Sequence, residues 1–147
     1  MKITFCGHSR IDFSDYNKSF LKELLIECII KDPQSIFYLG GYGDFDSICL
    51  NILKELQLTF KDIKIIFVTP YIDRKYYKLE YAKEYFDEIV FPPLENVPRK
   101  FAIIRRNEWM VDNSDIVIAY VQCSYGGAAR TLDYAKHKNK NYINIAL

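Results

Sequence analysis

Apolar residues along the chain follow two periods in turn. Residues 2–6, 35–39, 63–68, 88–91, 115–121 and 142–145 are short runs rich in β-branched and aromatic side chains, bounded by polar or turn residues, and they predict strands. Between them the apolar positions recur every three to four residues. Phe20, Leu21, Leu24, Leu25, Cys28 and Ile29 share one helical face, with Ser14 or Asp15 as cap and an enforced stop before Pro33. Phe45, Ile48, Cys49, Ile52, Leu53 and Leu56 form the clearest amphipathic face in the chain, with Asp44 as the expected N-cap. A short irregular helix is predicted over 78–85 and another helix over 99–111, opened by Pro98. The last helix starts in the stretch Ser124-Tyr-Gly-Gly-Ala-Ala-Arg-Thr131 and runs through Leu132 and Ala135 to Lys138.

Strands and helices alternate without a linker or repeat, and the central strands are almost continuously apolar. That pattern predicts an α/β fold: one domain over residues 1–147, a mainly parallel central sheet, and helices on both faces. In such sheets a ligand lies outside the carboxyl ends of the strands. Those ends carry Gly7-His8, Gly40-Gly41-Tyr42-Gly43, Thr69-Pro70-Tyr71 and Ser124 to Gly127. Glycines let a phosphate or ribose approach the backbone closely. The helix start after Gly126 adds unpaired N–H groups and the positive end of a helix dipole. Ser124 is expected either to cap that helix or to bind the ligand.

Composition narrows the partners. The chain has 147 residues, half of them hydrophobic (50%), and 16% aromatic, which suits a packed globular domain. A formal net charge of +1 offers no whole-chain attraction to polyanions, so nucleic acid is an unexpected partner, as is a membrane surface. Cys6, Cys28, Cys49 and Cys123 lie in or beside apolar runs without a C-x-x-C pair, so they are expected to be buried or partly buried thiols, reduced in a cytoplasmic protein. No metal site and no cofactor is expected. No apolar run reaches membrane-spanning length.

Several side chains can carry chemistry. Arg106 shares a helical face with Ile103 and Met110, so it is expected to point inward, either to bind phosphate at the crevice or to form a structural ion pair. Asp44 and Asp46 open a helix; they serve as cap and dipole complement, or as a carboxylate pair for ribose or acid–base work. His8 is a general base, a ligand donor or a simple polar contact. Arg10 binds phosphate or lies in solvent. Asp133 faces a ribose or the helix surface. Tyr71, Tyr76, Tyr77, Tyr81 and Tyr85 stack on a base or cover the sheet edge.

Taken in order, Cys6-Gly7-His8, Gly41-Tyr-Gly-Asp-Phe-Asp46, Arg106-Asn-Glu-Trp-Met110 and Ser124-Tyr-Gly-Gly-Ala-Ala129 resemble the SLOG superfamily, a Rossmann-like group that includes the SMF/DprA and LOG proteins. The likeness covers nearly the whole chain and is strongest to the small YspA-like members of unknown function. LOG enzymes are phosphoribohydrolases that split a nucleoside monophosphate. Their R-K-x-x-M resembles the stretch from Arg106 to Met110. Their P-G-G-x-G-T-x-x-E is matched only in part by Tyr125 to Asp133, where the proline, the later glycine and the final glutamate are replaced.

The resemblance implies a nucleotide or nucleotide-derived ligand, bound for sensing or sequestration. The expected ligand-binding residues are Gly7, His8, Ser9, Arg10, Gly40, Gly41, Gly43, Asp44, Asp46, Tyr71, Arg106, Asn107, Ser124, Gly126, Gly127, Ala128 and Thr131. Phosphate is expected on Gly126 to Ala128 with Arg106 alongside. One alternative is an N-glycosidic hydrolase with Arg106, Asp46 and Asp133 as catalytic residues. Another is a structural or interaction protein without a ligand. The superfamily also implies a homo-oligomer.

Overall fold

A computed structural model describes residues 1–146. The strands are β1 (Lys2–Gly7), β2 (Ile36–Leu39), β3 (Lys64–Val68), β4 (Glu88–Val90), β5 (Ile116–Tyr120) and β6 (Asn141–Asn144). They form one six-stranded sheet in the order β4-β3-β2-β1-β5-β6. All its pairings are parallel. The helices are α1 (Asp15–Lys31), α2 (Asp44–Gln57), α3 (Lys78–Tyr85), α4 (Ala102–Asp112), preceded by a 3₁₀ turn at Arg99–Phe101, and α5 (Gly127–His137). The expected α/β architecture with a parallel sheet is therefore present, and it is Rossmann-like.

Alternation along each strand divides the core. Ile3, Phe5, Phe37, Leu39, Ile65 and Phe67 pack with Leu21, Leu25, Phe45 and Leu53 on the face covered by α1 and α2. Cys6, Val117 and Ala119 turn the other way, against Val111, Leu132 and Ala135 of α4 and α5. Tyr38, Ile66 and Val68 meet Met110 on that same second face. Phe37, Phe45 and Phe67 have no exposed surface; burying a side chain of this size contributes about 1.5–3 kcal/mol each.

The boundaries shift where a turn wins over a cap. Gly43, with φ +92°, is the N-cap of α2, and Asp44 is its first helical residue. Gly126, with φ +93°, caps α5, so Ser124 is left outside the helix. Both turns need a left-handed residue, which glycine supplies without a Cβ clash. Strand β6 begins one residue earlier than its apolar pattern suggests, because Asn141 pairs with Ile116. Cys6, Cys28 and Cys49 are buried, and Cys123 is half-buried. Among the described residues, no helix is long and apolar enough to cross a membrane.

Candidate functional site

The chain builds β1 to β4 outward on one side, then returns to place β5 on the other side of β1. The connections leave β1 and β5 in opposite directions, and in doubly wound sheets ligands bind at such a switch point. His8 lies between the two loops. Its backbone N–H donates to the Tyr120 carbonyl at 3.3 Å, and its Nε2 accepts from the Gln122 N–H at 2.8 Å. An Nε2 that accepts leaves Nδ1 as the ring's donor position. Cys123 Sγ stands 3.8 Å from the same nitrogen. His8 thus pins the β1 loop to the β5 loop.

Beside it, α5 begins without any side-chain cap. The first backbone bond at this end is Arg130 N–H to the Gly126 carbonyl at 3.0 Å. Among the described residues, the amides of Gly127, Ala128 and Ala129 have no acceptor. A Cβ built on Gly126 or Gly127 would meet nothing within 4 Å. Unpaired donors at the positive end of a helix, with room beside the two glycines, suit an anion.

The β2–α2 loop forms the next part of the rim. Asp46 accepts from the Gly40 N–H at 3.1 Å and, more weakly, from the Tyr42 N–H at 3.4 Å. Burial pushes its carboxyl up to about 6, against the opposing pull of the Arg106 guanidinium and the backbone amides. Asp44 reaches across to accept from the Ile11 N–H at 3.1 Å, while its own N–H donates to the Ser9 carbonyl at 2.9 Å. Gly41 has φ +72°, and a Cβ there would fall 2.4 Å from Phe67. The loop is thereby locked to the β1 loop and to the core.

Arg106 lies beneath this loop, 4% exposed. Its Nη1 donates to the Val68 carbonyl at 2.9 Å and to the Gly40 carbonyl at 3.1 Å. Its Nε donates to Asn107 Oδ1 at 2.8 Å. Burial lowers its pKa and Asp46 opposes that shift, but a guanidinium stays charged. Among the described residues it forms no ion pair within 4.0 Å. Arg106 sits where β2 and β3 end, whereas α5 starts at the end of β5, two strands from β2. At about 4.8 Å per strand, the ends of β2 and β5 are roughly 10 Å apart at the sheet edge.

The remaining expected residues divide clearly. Gly7, His8, Gly40, Gly41, Gly43, Asp44, Asp46, Ser124, Gly126, Gly127 and Ala128 lie along the rim. Ser9 and Arg10 are exposed on the β1 loop. Thr131 is buried, its hydroxyl spent on the Gly127 carbonyl at 2.9 Å. Asn107 serves Arg106. Tyr71 carries the Arg99 guanidinium 3.9 Å over its ring. Asp133 is exposed on α5, about 9 Å along the axis from Gly127, away from the helix start. Sequence reasoning missed Lys78, whose Nζ donates to the Gly41 carbonyl at 2.6 Å. A lysine within a polar, tyrosine-rich run gives no sign that it reaches back to a glycine turn. A separate hollow lined by Val97, Pro98, Phe101, Ile104 and Arg105 contains none of these residues.

No family model matches the chain, and no curated protein does. Two solved structures share its fold. DNA processing protein A from Helicobacter pylori, described for its single-stranded DNA binding mode, is 19% identical with a TM-score of 0.65, over 97% of this chain and 63% of that one. DNA processing protein A (DprA) from Streptococcus pneumoniae is 15% identical with a TM-score of 0.60, over 96% of this chain and 48% of that one. The chain thus spans less than two thirds of the first protein and about half of the second. At these identities the likenesses show a shared Rossmann-like fold. They also correct the expectation that nucleic acid is an unexpected partner, since the Helicobacter pylori protein with this fold binds single-stranded DNA. Net charge averages the whole chain, whereas nucleic-acid binding depends on where cations stand.

Proposed function

We propose that the chain binds a nucleotide or nucleotide-derived ligand in the crevice at the β1–β5 switch point, as a small YspA-like member of the SLOG group. The observation that carries this is the start of α5: the amides of Gly127, Ala128 and Ala129 have no acceptor among the described residues, and Cβ atoms added to Gly126 or Gly127 would meet nothing within 4 Å. Phosphate belongs there, and ribose and base extend toward His8 and the loop from Gly41 to Asp46. Arg106 supplies longer-range positive potential and holds the rim in shape. A hydrolase is the second reading, supported by a carboxyl at Asp46 that titrates at about 6, close to the range of a general acid or base.

Calorimetric titration of the four common ribonucleoside monophosphates, against the parent chain and Gly127→Val, tests the site. Gly127 is outside the left-handed region and its Cβ position is empty, so valine leaves folding intact and blocks only an incoming phosphate. Losing one charge-assisted hydrogen bond weakens affinity by about ten- to a hundredfold. Unchanged affinity with an unchanged melt would remove the phosphate from this position. Free base in the same samples would make the chain a hydrolase.

A further inference from the structure

Among the described residues, Arg106 is the only buried charged side chain. A buried charge calls for a partner of opposite sign, yet no carboxylate lies within 4.0 Å of it. Asp46 acts on it only at longer range, with its carboxylate turned to the Gly40 and Tyr42 amides. Nη1 and Nε are taken up by the Val68 and Gly40 carbonyls and by Asn107, whereas Nη2 donates to nothing among the described residues. No fully buried side-chain nitrogen among them lacks a partner, so Nη2 belongs to the small part of Arg106 that solvent still reaches. Two neutral donors without an acceptor accompany it. One is the Asn107 amide nitrogen, whose companion oxygen holds Arg106 Nε at 2.8 Å. The other is the hydroxyl of half-buried Tyr76. Burial raises the pKa of Tyr76 and the Arg106 charge opposes that shift, so the hydroxyl keeps its proton to donate.

We propose that Arg106, with Asn107 and Tyr76, forms a second anion subsite, and that the ligand is a nucleotide carrying a second phosphate on a ribose hydroxyl, apart from its 5′-phosphate. This rests on the nucleotide reading of the α5 start. Helices α4 and α5 cover the same face of the sheet, and both Arg106 and the start of α5 stand at its carboxyl edge. The ends of β2 and β5 are roughly 10 Å apart there, which separates the two subsites along the edge. A 5′-phosphate on α5, with its ribose turned to the loop from Gly41 to Asp46, brings the ribose 2′ and 3′ oxygens toward the end of β2, where Arg106 lies. A guanidinium flanked by neutral donors suits a phosphate, which offers several acceptor oxygens at once. A nucleoside diphosphate fits less well, because its added phosphate extends from the first one and not from the ribose.

Calorimetric titration of adenosine 5′-monophosphate, adenosine 2′,5′-bisphosphate, adenosine 3′,5′-bisphosphate and adenosine 5′-diphosphate tests this. One bisphosphate is expected to bind at least about tenfold tighter than the monophosphate, and the two arms show which hydroxyl carries the second phosphate. The diphosphate has the same number of phosphates without that placement and should gain less. Arg106→Gln should bring the ratio of bisphosphate to monophosphate affinity down to about one. A rim that is merely loosened weakens both ligands alike and leaves the ratio as in the parent. Should Arg106→Gln fail to fold, Tyr76→Phe supplies the test: it keeps the ring, loses one hydrogen bond and should lower the ratio about two- to tenfold. A parent ratio near one, an equal gain for the diphosphate, or a ratio that the substitution leaves unchanged overturns the second subsite and leaves the α5 site standing. Failure of all four nucleotides to bind overturns both.

Discussion

At the scale of single residues, the rim holds a buried guanidinium and a half-buried carboxylate that both bond to the strand-end backbone. Arg106 and Asp46 bracket Gly40: one takes its carbonyl, the other its N–H. Sequence could place Arg106 inward, from its spacing to Met110, and could mark Asp46 as near a helix start. It could not show that each is spent on the strand end, because those bonds depend on how α4 and β2 meet. Asp46 is faced by the Arg106 guanidinium and by the thiols of Cys6 and Cys49, which burial keeps protonated. Its ordinary value of 3.8 rises to about 6, so the folded chain holds this proton more tightly than the unfolded one. Stability from that proton is complete below about pH 4 and is lost as pH rises through about 6. Asp46→Asn lacks this loss. Relative to the parent, the variant should therefore gain on the order of 2 kcal/mol between about pH 4 and pH 6.5, read from urea midpoints. A difference that stays flat across that window contradicts the enclosed carboxyl.

At the scale of elements, the helices and strands were legible wherever one period dominated. The α2 face and the apolar β3 and β5 runs fixed their own type. The starts of α2 and α5 were misplaced because Ser124 and Asp44 looked like caps, while Gly126 and Gly43 make the turns. Asp44 then became free to bind the β1 loop through Ile11. The tie from α4 to β2 and β3 gives a second expectation. Arg106→Ala leaves the Val68 and Gly40 carbonyls buried without a donor, which costs about 1–3 kcal/mol for each. Its chemical denaturation midpoint should fall clearly below that of Gly127→Val. Equal midpoints would mean that α4 does not hold the strand ends through this residue. Arg106→Ala is therefore a mixed probe of binding, since it loosens the rim as well as removing charge.

At the scale of the molecule, the parallel sheet and its reversal between β1 and β5 determine where a ligand can sit. The alternation of elements made the sheet legible, and the glycines at three strand ends marked its carboxyl edge. The strand order was not legible, because it is set by long-range pairing rather than local pattern. The expectation that nucleic acid is an unlikely partner is overturned by a fold neighbour that binds single-stranded DNA, since a net charge of +1 averages the whole chain and says nothing of where cations stand. The central claim is that the start of α5 receives the phosphate. Amide chemical shifts of the ¹⁵N-labelled chain, followed while a nucleoside monophosphate is added, test it directly. The account predicts the largest saturable changes at Gly127, Ala128 and Ala129, with smaller ones at His8 and Gly41. Changes centred instead on the hollow of Val97, Phe101 and Ile104, with the α5 amides still, would contradict it.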